Sequence, residues 1–251
     1  MNIGKDLLMI EGLPILYVRS LKMLVCADLH LGYEGVMSNN GLFLPKANLK
    51  SIKSSLEQAL QAVAAKRLLV DGDIKNEFSG VDVEEFNELY EFINFVSEIG
   101  LQLTLIKGNH DNFVERYKKA FKFRVYRQQH AEGSYLFFHG EEMPRGLDRG
   151  IKTIIMGHEH PAISIYTPVG KAEKIKSFLI GSYKGRKLIV LPAMSYYSPG
   201  TSVNIEPSGE MLSPIFKHVS VDSMEAIAVG YGSTISFGTV GMLRRLAIRH
   251  T

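Results

Sequence analysis

The chain has 251 residues, 45% hydrophobic and 22% charged, the balance of an ordinary globular protein whose length suits one large α/β domain spanning 1–251. Its net charge of +3 is too small by itself to announce a nucleic-acid partner, and no run approaches the roughly 20 uncharged apolar residues of a membrane span. Lys5, Asp6 and Glu11 break up the first apolar stretches and no small-residue cleavage site follows, so no secretory signal is expected. The single cysteine, Cys26, cannot form an intramolecular disulfide and lies in an apolar run, as a small core hydrophobe would. A cytoplasmic location is the expectation.

The first strand is predicted over Leu21 to Ala27 and delivers Asp28-Leu29-His30. A loop holding Asn39, Asn40, Gly41 and Pro45 is expected next, then a helix from about Lys46 to Lys66 with Leu49, Ile52, Leu56, Ala59, Leu60 and Val63 on its apolar side. Arg67 to Val70 reads as a short strand running into Asp71-Gly72-Asp73. A second helix begins after Asp82, an N-cap with Glu85 three residues on, presents Phe86, Leu89, Tyr90, Ile93 and Val96, and stops at Gly100. Leu101 to Lys107 alternates as a strand does and ends at Gly108-Asn109-His110-Asp111.

A short helix is expected around Phe113 to Ala120. Strands over Ser134 to Phe138 and Ile151 to Met156 then deliver His139-Gly140 and Gly157-His158-Glu159-His160. From Ala162 the texture turns β-rich, with Lys176 to Gly181, Lys187 to Leu191, Thr201 to Ile205 and Ala226 to Gly230 separated by turn residues. There is no internal repeat, low-complexity tract or linker. Alternating α/β units followed by hairpins favour two packed sheets with helices outside, the motifs lying in about 21–160 and the second sheet in about 161–251.

Five motifs thus follow five buried strands, and in open α/β sheets reactive groups gather outside the carboxyl ends of strands. Asp28, His30, Asp73, Asn109, His139, His158 and His160 supply a mixture of oxygen and nitrogen donors that suits Mn, Fe or Zn better than Ca. Each motif alone is weak: Asp-x-His is common, Gly-Asp is usually a turn, and Gly-Asn-His-Asp can be a helix cap. Five of the eight histidines nevertheless fall in these motifs, and His130, His218 and His250 fall in none.

In this order the motifs resemble those of the calcineurin-like metallophosphoesterases, whose pattern D-x-H, G-D, G-N-H-[DE], a lone His and G-H-x-H is met from Asp28 to His160. The stretches Asp28-Leu29-His30-Leu31-Gly32-Tyr33-Glu34 and Gly157-His158-Glu159-His160-Pro161-Ala162 look more narrowly like the archaeal phosphoesterases related to SbcD-type nucleases. The resemblance implies a four-layer α/β/β/α sandwich of two mixed sheets flanked by helices, and two divalent ions, Mn first with Fe, Zn, Ni or Mg as alternatives.

Carried over, it implies that Asp28, His30 and His160 hold one ion, that Asn109, His139 and His158 hold the other, and that Asp73 bridges them. His110 would contact the phosphate and protonate the leaving oxygen, with Asp111 orienting its imidazole. Two departures stand out: Phe138 precedes the lone His where a small residue is commoner, and Asn76 stands where close relatives have His.

The implied reaction is hydrolysis of a phosphodiester by a metal-activated hydroxide, with DNA or RNA as the leading substrate, a small nucleotide or phosphomonoester as runner-up, and a non-catalytic scaffold as the third reading. Filled ligand and acid positions argue against the scaffold. Arg116, Lys118, Lys119, Lys122, Arg124 and Arg127 face only Glu115 and Glu132 between the third and fourth motifs. Such a cluster is usually a solvated face, and its place between two site motifs makes it the candidate nucleic-acid contact. No membrane partner is expected.

Overall fold

The apolar runs of the first half become neighbours in one sheet because consecutive parallel strands need crossovers long enough to hold a helix. The computed structural model describes residues 1–77, 83–112, 114, 123–166 and 172–247. Its elements begin with β1 (Asn2–Ile3), β2 (Leu7–Met9), β3 (Leu16–Val18) and β4 (Met23–Cys26). Helices α1 (Tyr33–Asn39) and α2 (Asn48–Ala62) lead to β5 (Arg67–Asp71), and α3 (Val83–Glu98) leads to β6 (Gln102–Ile106) and then β7 (Arg124–Tyr126). These strands stand side by side in sequence order. Pairing is antiparallel from β1 to β4 and parallel from β4 to β7.

The helices form where apolar residues recur at helical spacing: Ile52, Leu56 and Ala59 on α2, and Leu89, Phe92, Ile93 and Val96 on α3, are buried. Gly100 ends the second of these as expected. At φ 76° it lets its own N–H reach the Ser97 carbonyl and the Leu101 N–H reach that of Val96, a Schellman closure.

The second sheet contains β8 (Gln129–Glu132), β9 (Tyr135–Phe138), β10 (Thr153–Met156), β11 (Pro161–Tyr166), β12 (Ala172–Tyr183), β13 (Arg186–Val190) and β14 (Thr201–Ser202). Their order is β14-β11-β12-β13-β10-β9-β8, with β15 (Glu225–Gly230) paired to β12 and to β16 (Ser233–Thr239); α4 (Val240–Ala247) follows. Strands β9, β10 and β13 are mutually parallel.

Alternation along the strands divides the core into layers. Met23, Val25 and Leu69 of the first sheet meet Phe137, Ile155, Phe178 and Ile189 of the second. Leu24, Cys26, Leu68 and Val70 face α2 and α3, whereas Leu136, Ile154, Met156, Leu188 and Val190 pack against Ile215, Phe216, Val221 and Val240. The result is the expected four-layer sandwich of two mixed sheets flanked by helices. No helix among the described residues is long and apolar enough to cross a membrane.

Several local expectations are corrected. The stretch after the first motif holds α1 rather than only a loop, and β1 to β3 carry too few residues each for alternation to be read. The strand expected over Thr201 to Ile205 stops at Ser202, because Asn204 turns its side chain into the ladder: its Oδ1 accepts from the Ser164 N–H at 2.8 Å and its Nδ2 donates to the Ser164 carbonyl at 2.9 Å. The short helix expected at Phe113 to Ala120 and the Asp82 cap lie outside the described residues, Val114 excepted.

Phe178 is fully buried between the sheets. Phe178→Ala should therefore cost about 3–5 kcal/mol, read as a lower urea midpoint at unchanged slope. A loss well under 1 kcal/mol would mean that this layer does not hold the sheets together.

Candidate metal centre

All five motifs leave the carboxyl ends of parallel strands: Asp28 to His30 after β4, Asp73 after β5, Gly108 to Asp111 after β6, His139 after β9 and His158 to His160 after β10. The first two loops continue the ladder beyond their strands, the Asp28 N–H donating to the Gly72 carbonyl and that of His30 to the Asp73 carbonyl, each at 3.0 Å. The other sheet mirrors this with the Gly157 N–H on the His139 carbonyl at 3.0 Å. A parallel bridge between Ala27 and Ala193 joins the two sheets beside Asp28. Loops from two sheets thus open into one crevice.

The backbone there is strained in a concentrated way. Asp28 (φ 58°), His30 (46°), Asp73 (49°), His158 (67°) and His160 (49°) all adopt left-handed conformations, which cost of order 1–3 kcal/mol each and persist only where surroundings impose them. The glycines make room. A Cβ on Gly72 would lie 2.0 Å from His139 Nδ1, and one on Gly108 would lie 2.2 Å from Asp73 Oδ1.

The side chains form two groups that share one member. Asp28, His30, Asp73 and His160 make the first and Asp73, His139 and His158 the second, the donor atoms within each lying within 4.8 Å of one another. His139 Nε2 is 3.3 Å from Asp73 Oδ2, 3.2 Å from Asn109 Oδ1 and 3.2 Å from His158 Nδ1. His160 Nε2 is 3.2 Å from Asp28 Oδ1 and 3.4 Å from His30 Nε2. Atoms held at about 2.1 Å from one ion lie roughly 3.0–3.4 Å from each other, so the donor set fits divalent ions. His139 Nδ1 sits 2.9 Å from the Asp71 carbonyl, to which it donates, leaving Nε2 to face the crevice.

The charges within the cluster shift one another strongly. Burial pushes both carboxyls up, but His160 and then His139 hold Asp28 below the usual carboxylate range, and His139 with His30 and His110 hold Asp73 below it. Burial pushes the His139 imidazole down, yet Asp73 and Asp28 more than reverse this and raise it well above its ordinary value; Asp28 likewise raises His160. His30 and His158 go the other way, lowered to about 4 by burial and by the neighbouring cationic rings. The two raised rings thus sit against the two lowered carboxyls, with the two lowered rings between them.

The seven residues expected as ligands are thus brought together, Asn109 through His139. His110 is 30% exposed beside them, its N–H on Asp73 Oδ1 at 2.9 Å and its Nε2 4.0 Å from Asp73 Oδ2. The expectation that Asp111 orients this ring is corrected. Asp111 Oδ1 accepts from the Ile74 and Lys75 N–H groups and Oδ2 from that of Gly108, because the side chain turns down into the loops. The ring instead donates from Nδ1 to the Asn76 carbonyl at 2.7 Å. Burial also raises the Asp111 carboxyl to about 7, with Asp73 adding to the effect.

Of the basic segment, Arg124 is exposed on β7 and Arg127 is exposed just past its end, at the sheet edge that carries the site; Arg116, Lys118, Lys119 and Lys122 lie outside the described residues. Sequence reasoning missed Asn48, whose fully buried amide donates to the Leu29 and His30 carbonyls at 2.9 and 3.0 Å. It also missed the buried pair Lys75 and Glu85, 3.0 Å apart, which binds the loop after Asp73 to α3. A polar residue at the start of an apolar helix face was the only signal for Asn48.

The sequence matches the family described as calcineurin-like phosphoesterase over residues 21–150. No curated protein matches it. Among solved structures the chain is similar to the nuclease MPE of Pseudomonas putida, with a TM-score of 0.62 and 16% identity over 91% of this chain and 93% of that one, and shares its fold. It also aligns with the E. coli phosphoesterase Yfce at a TM-score of 0.42 and 16% identity, over 85% of this chain and 96% of that one. A protein of unknown function from Aquifex aeolicus, AQ665, aligns at 0.37 and 20% identity over 55% and 78%. These two follow too little of the chain's course to bear on the fold.

A ligating imidazole must give up its proton, so divalent ions entering at pH 7 should displace protons from the raised His139, and their affinity should weaken as pH falls. Titration calorimetry with Mn²⁺ in buffers of different ionisation heat reads this directly. Heats independent of the buffer would overturn it.

Proposed function

The chain belongs to the calcineurin-like phosphoesterases, and from that premise we propose that it is a cytoplasmic dinuclear hydrolase cleaving phosphodiester bonds in DNA or RNA. The observation that carries the reading is Asp73, whose carboxylate is common to both donor groups. Asp28, His30 and His160 would hold one ion and Asn109, His139 and His158 the other, with Mn as the ion we expect. When bound, such a pair lowers the pKa of water and neutralises the phosphoryl oxygens.

His110 has the chain's own part in the reaction. Its Nδ1 donates to the Asn76 carbonyl, and its Nε2, 4.0 Å from Asp73 Oδ2, would carry a proton toward the leaving oxygen. A general acid so placed contributes typically about 10²- to 10⁴-fold when the leaving group is a poor one, as a sugar alcohol is. Asp111 serves this step indirectly, by pinning the Gly108 loop against the Ile74-Lys75 backbone.

Support for a polymeric substrate comes from the exposed Arg124 and Arg127, from the basic residues that precede them, and from a neighbour in fold that is a nuclease. The Leu31-Gly32-Tyr33-Glu34 and Pro161-Ala162 extensions of the motifs favour the SbcD-related branch of the family. Mn²⁺-loaded protein tested against single- and double-stranded DNA, RNA, cyclic nucleotides and an aryl phosphodiester decides the substrate. Turnover of small nucleotides alone would replace the nuclease reading, and turnover of nothing would leave a scaffold.

His110→Ala should retain its ions by metal analysis and lose activity unequally. Alkoxide leaving groups should suffer by about 10²-fold or more and activated aryl esters least, because these need little protonation. An equal loss on both would leave His110 as a phosphate-positioning group.

A further inference from the structure

We infer that Tyr33, Tyr196 and Tyr197 form a stacking subsite beside the metal centre that receives the nucleobases of a single strand. This rests on the phosphodiesterase reading and names the part of the substrate that reading leaves open.

The three rings come from two segments that both lead out from the centre, Tyr33 at the start of α1 and Tyr196 and Tyr197 on the loop after β13. Tyr33 follows His30 by three residues, which limits the separation of their Cα atoms to about 11 Å. Tyr196 and Tyr197 follow Ser195, whose N–H donates to the Asp28 carbonyl at 3.0 Å. Asn48 ties the two segments together, donating to the Leu29 and His30 carbonyls while its Oδ1 accepts from the Tyr196 N–H at 2.8 Å.

The rings are arranged as a platform. Tyr33 and Tyr197 lie nearly parallel, 15° apart with centroids at 5.4 Å, and Tyr196 stands edge-on to Tyr197 at 86° and 5.0 Å. Tyr196 is 58% exposed, and on the neighbouring loop Phe43 is 82% exposed. The platform is fixed before any ligand arrives. The Tyr197 hydroxyl donates to the Pro45 carbonyl, and the half-buried Lys176 donates to the carbonyls of Ala193, at 2.8 Å, and Ser195.

Flat aromatic faces held rigidly next to a site for phosphate match the two chemical parts of a nucleotide. Stacking also tolerates any base. Exposed aromatic rings can equally dock a protein, but a protein partner would cover the crevice that the substrate must enter.

The test compares an oligothymidylate with an abasic strand of equal length, as KM and kcat with Mn²⁺ and as binding by fluorescence anisotropy in EDTA. The intact protein should prefer the base-bearing strand. Tyr196→Ala should reduce that preference toward unity through KM, by roughly 5- to 100-fold for a lost stack, and Tyr196→Trp should restore it. Equal binding of both strands by the intact protein would overturn the subsite, as would a Tyr196→Ala loss that falls on both strands alike. A base preference in binding without cleavage of either strand would sustain the subsite and refute the phosphodiesterase reading. Cleavage without base preference would do the reverse.

Discussion

Two carboxylates removed from water beneath one crevice set the terms for everything around them. Asp28 and Asp73 are essentially fully buried, and an uncompensated buried charge is too costly to persist. Compensation has to come from groups within a few ångströms, and the imidazoles of His139 and His160 stand at 3.2 to 3.3 Å. The arrangement is one that divalent ions can take over, since each displaced proton leaves a nitrogen lone pair already directed at a carboxylate. Neutral His30 and His158 complete both donor sets at no further electrostatic cost.

Bringing those groups together dictates the architecture more than core packing does. A single strand end can present only one or two inward residues, so seven donors require several strand ends from both sheets. Parallel strands put those ends on one edge, and the bridge between Ala27 and Ala193 joins the edges of the two sheets. The remaining adjustment falls on the backbone. Five donor residues sit at positive φ, and Gly72 and Gly108 stand where any Cβ would strike His139 or Asp73. Strain here is sustained by the buried charges and the core beneath.

Donor residues were legible in the sequence because metal-ligating chemistry restricts residue type and strand ends restrict position. Asp28, Asp73 and His139 each follow an apolar run, and that pairing of signals survives without any knowledge of contacts. Groups that act through the backbone left no such trace. The Asn76 carbonyl that orients His110 could belong to any residue, so the side chain at 76 is not what the ring requires. The role that the family resemblance implied for Asp111 left no trace of its own in the sequence either, and its burial turns it toward three backbone N–H groups. The strands β1 to β3 were missed because two or three residues cannot display a period.

Precision in a loop-built site must come from elsewhere, and here it comes from side chains on the rigid elements. Asn48 at the head of α2 and Glu85 on α3 reach into the loops after β4 and β5, and Glu159 accepts the Ser213 N–H at 3.0 Å from the segment between β14 and β15. Buried pairs such as Lys75 and Glu85 add little net stability, because desolvation offsets most of the attraction. Their worth lies in excluding alternatives, since any other register of the loop would leave a charge buried without a partner. The same buried asparagine that fixes His30 also fixes Tyr196, so the position of the aromatic platform relative to the metal donors is set by one side chain's hydrogen bonds rather than by two independently mobile segments.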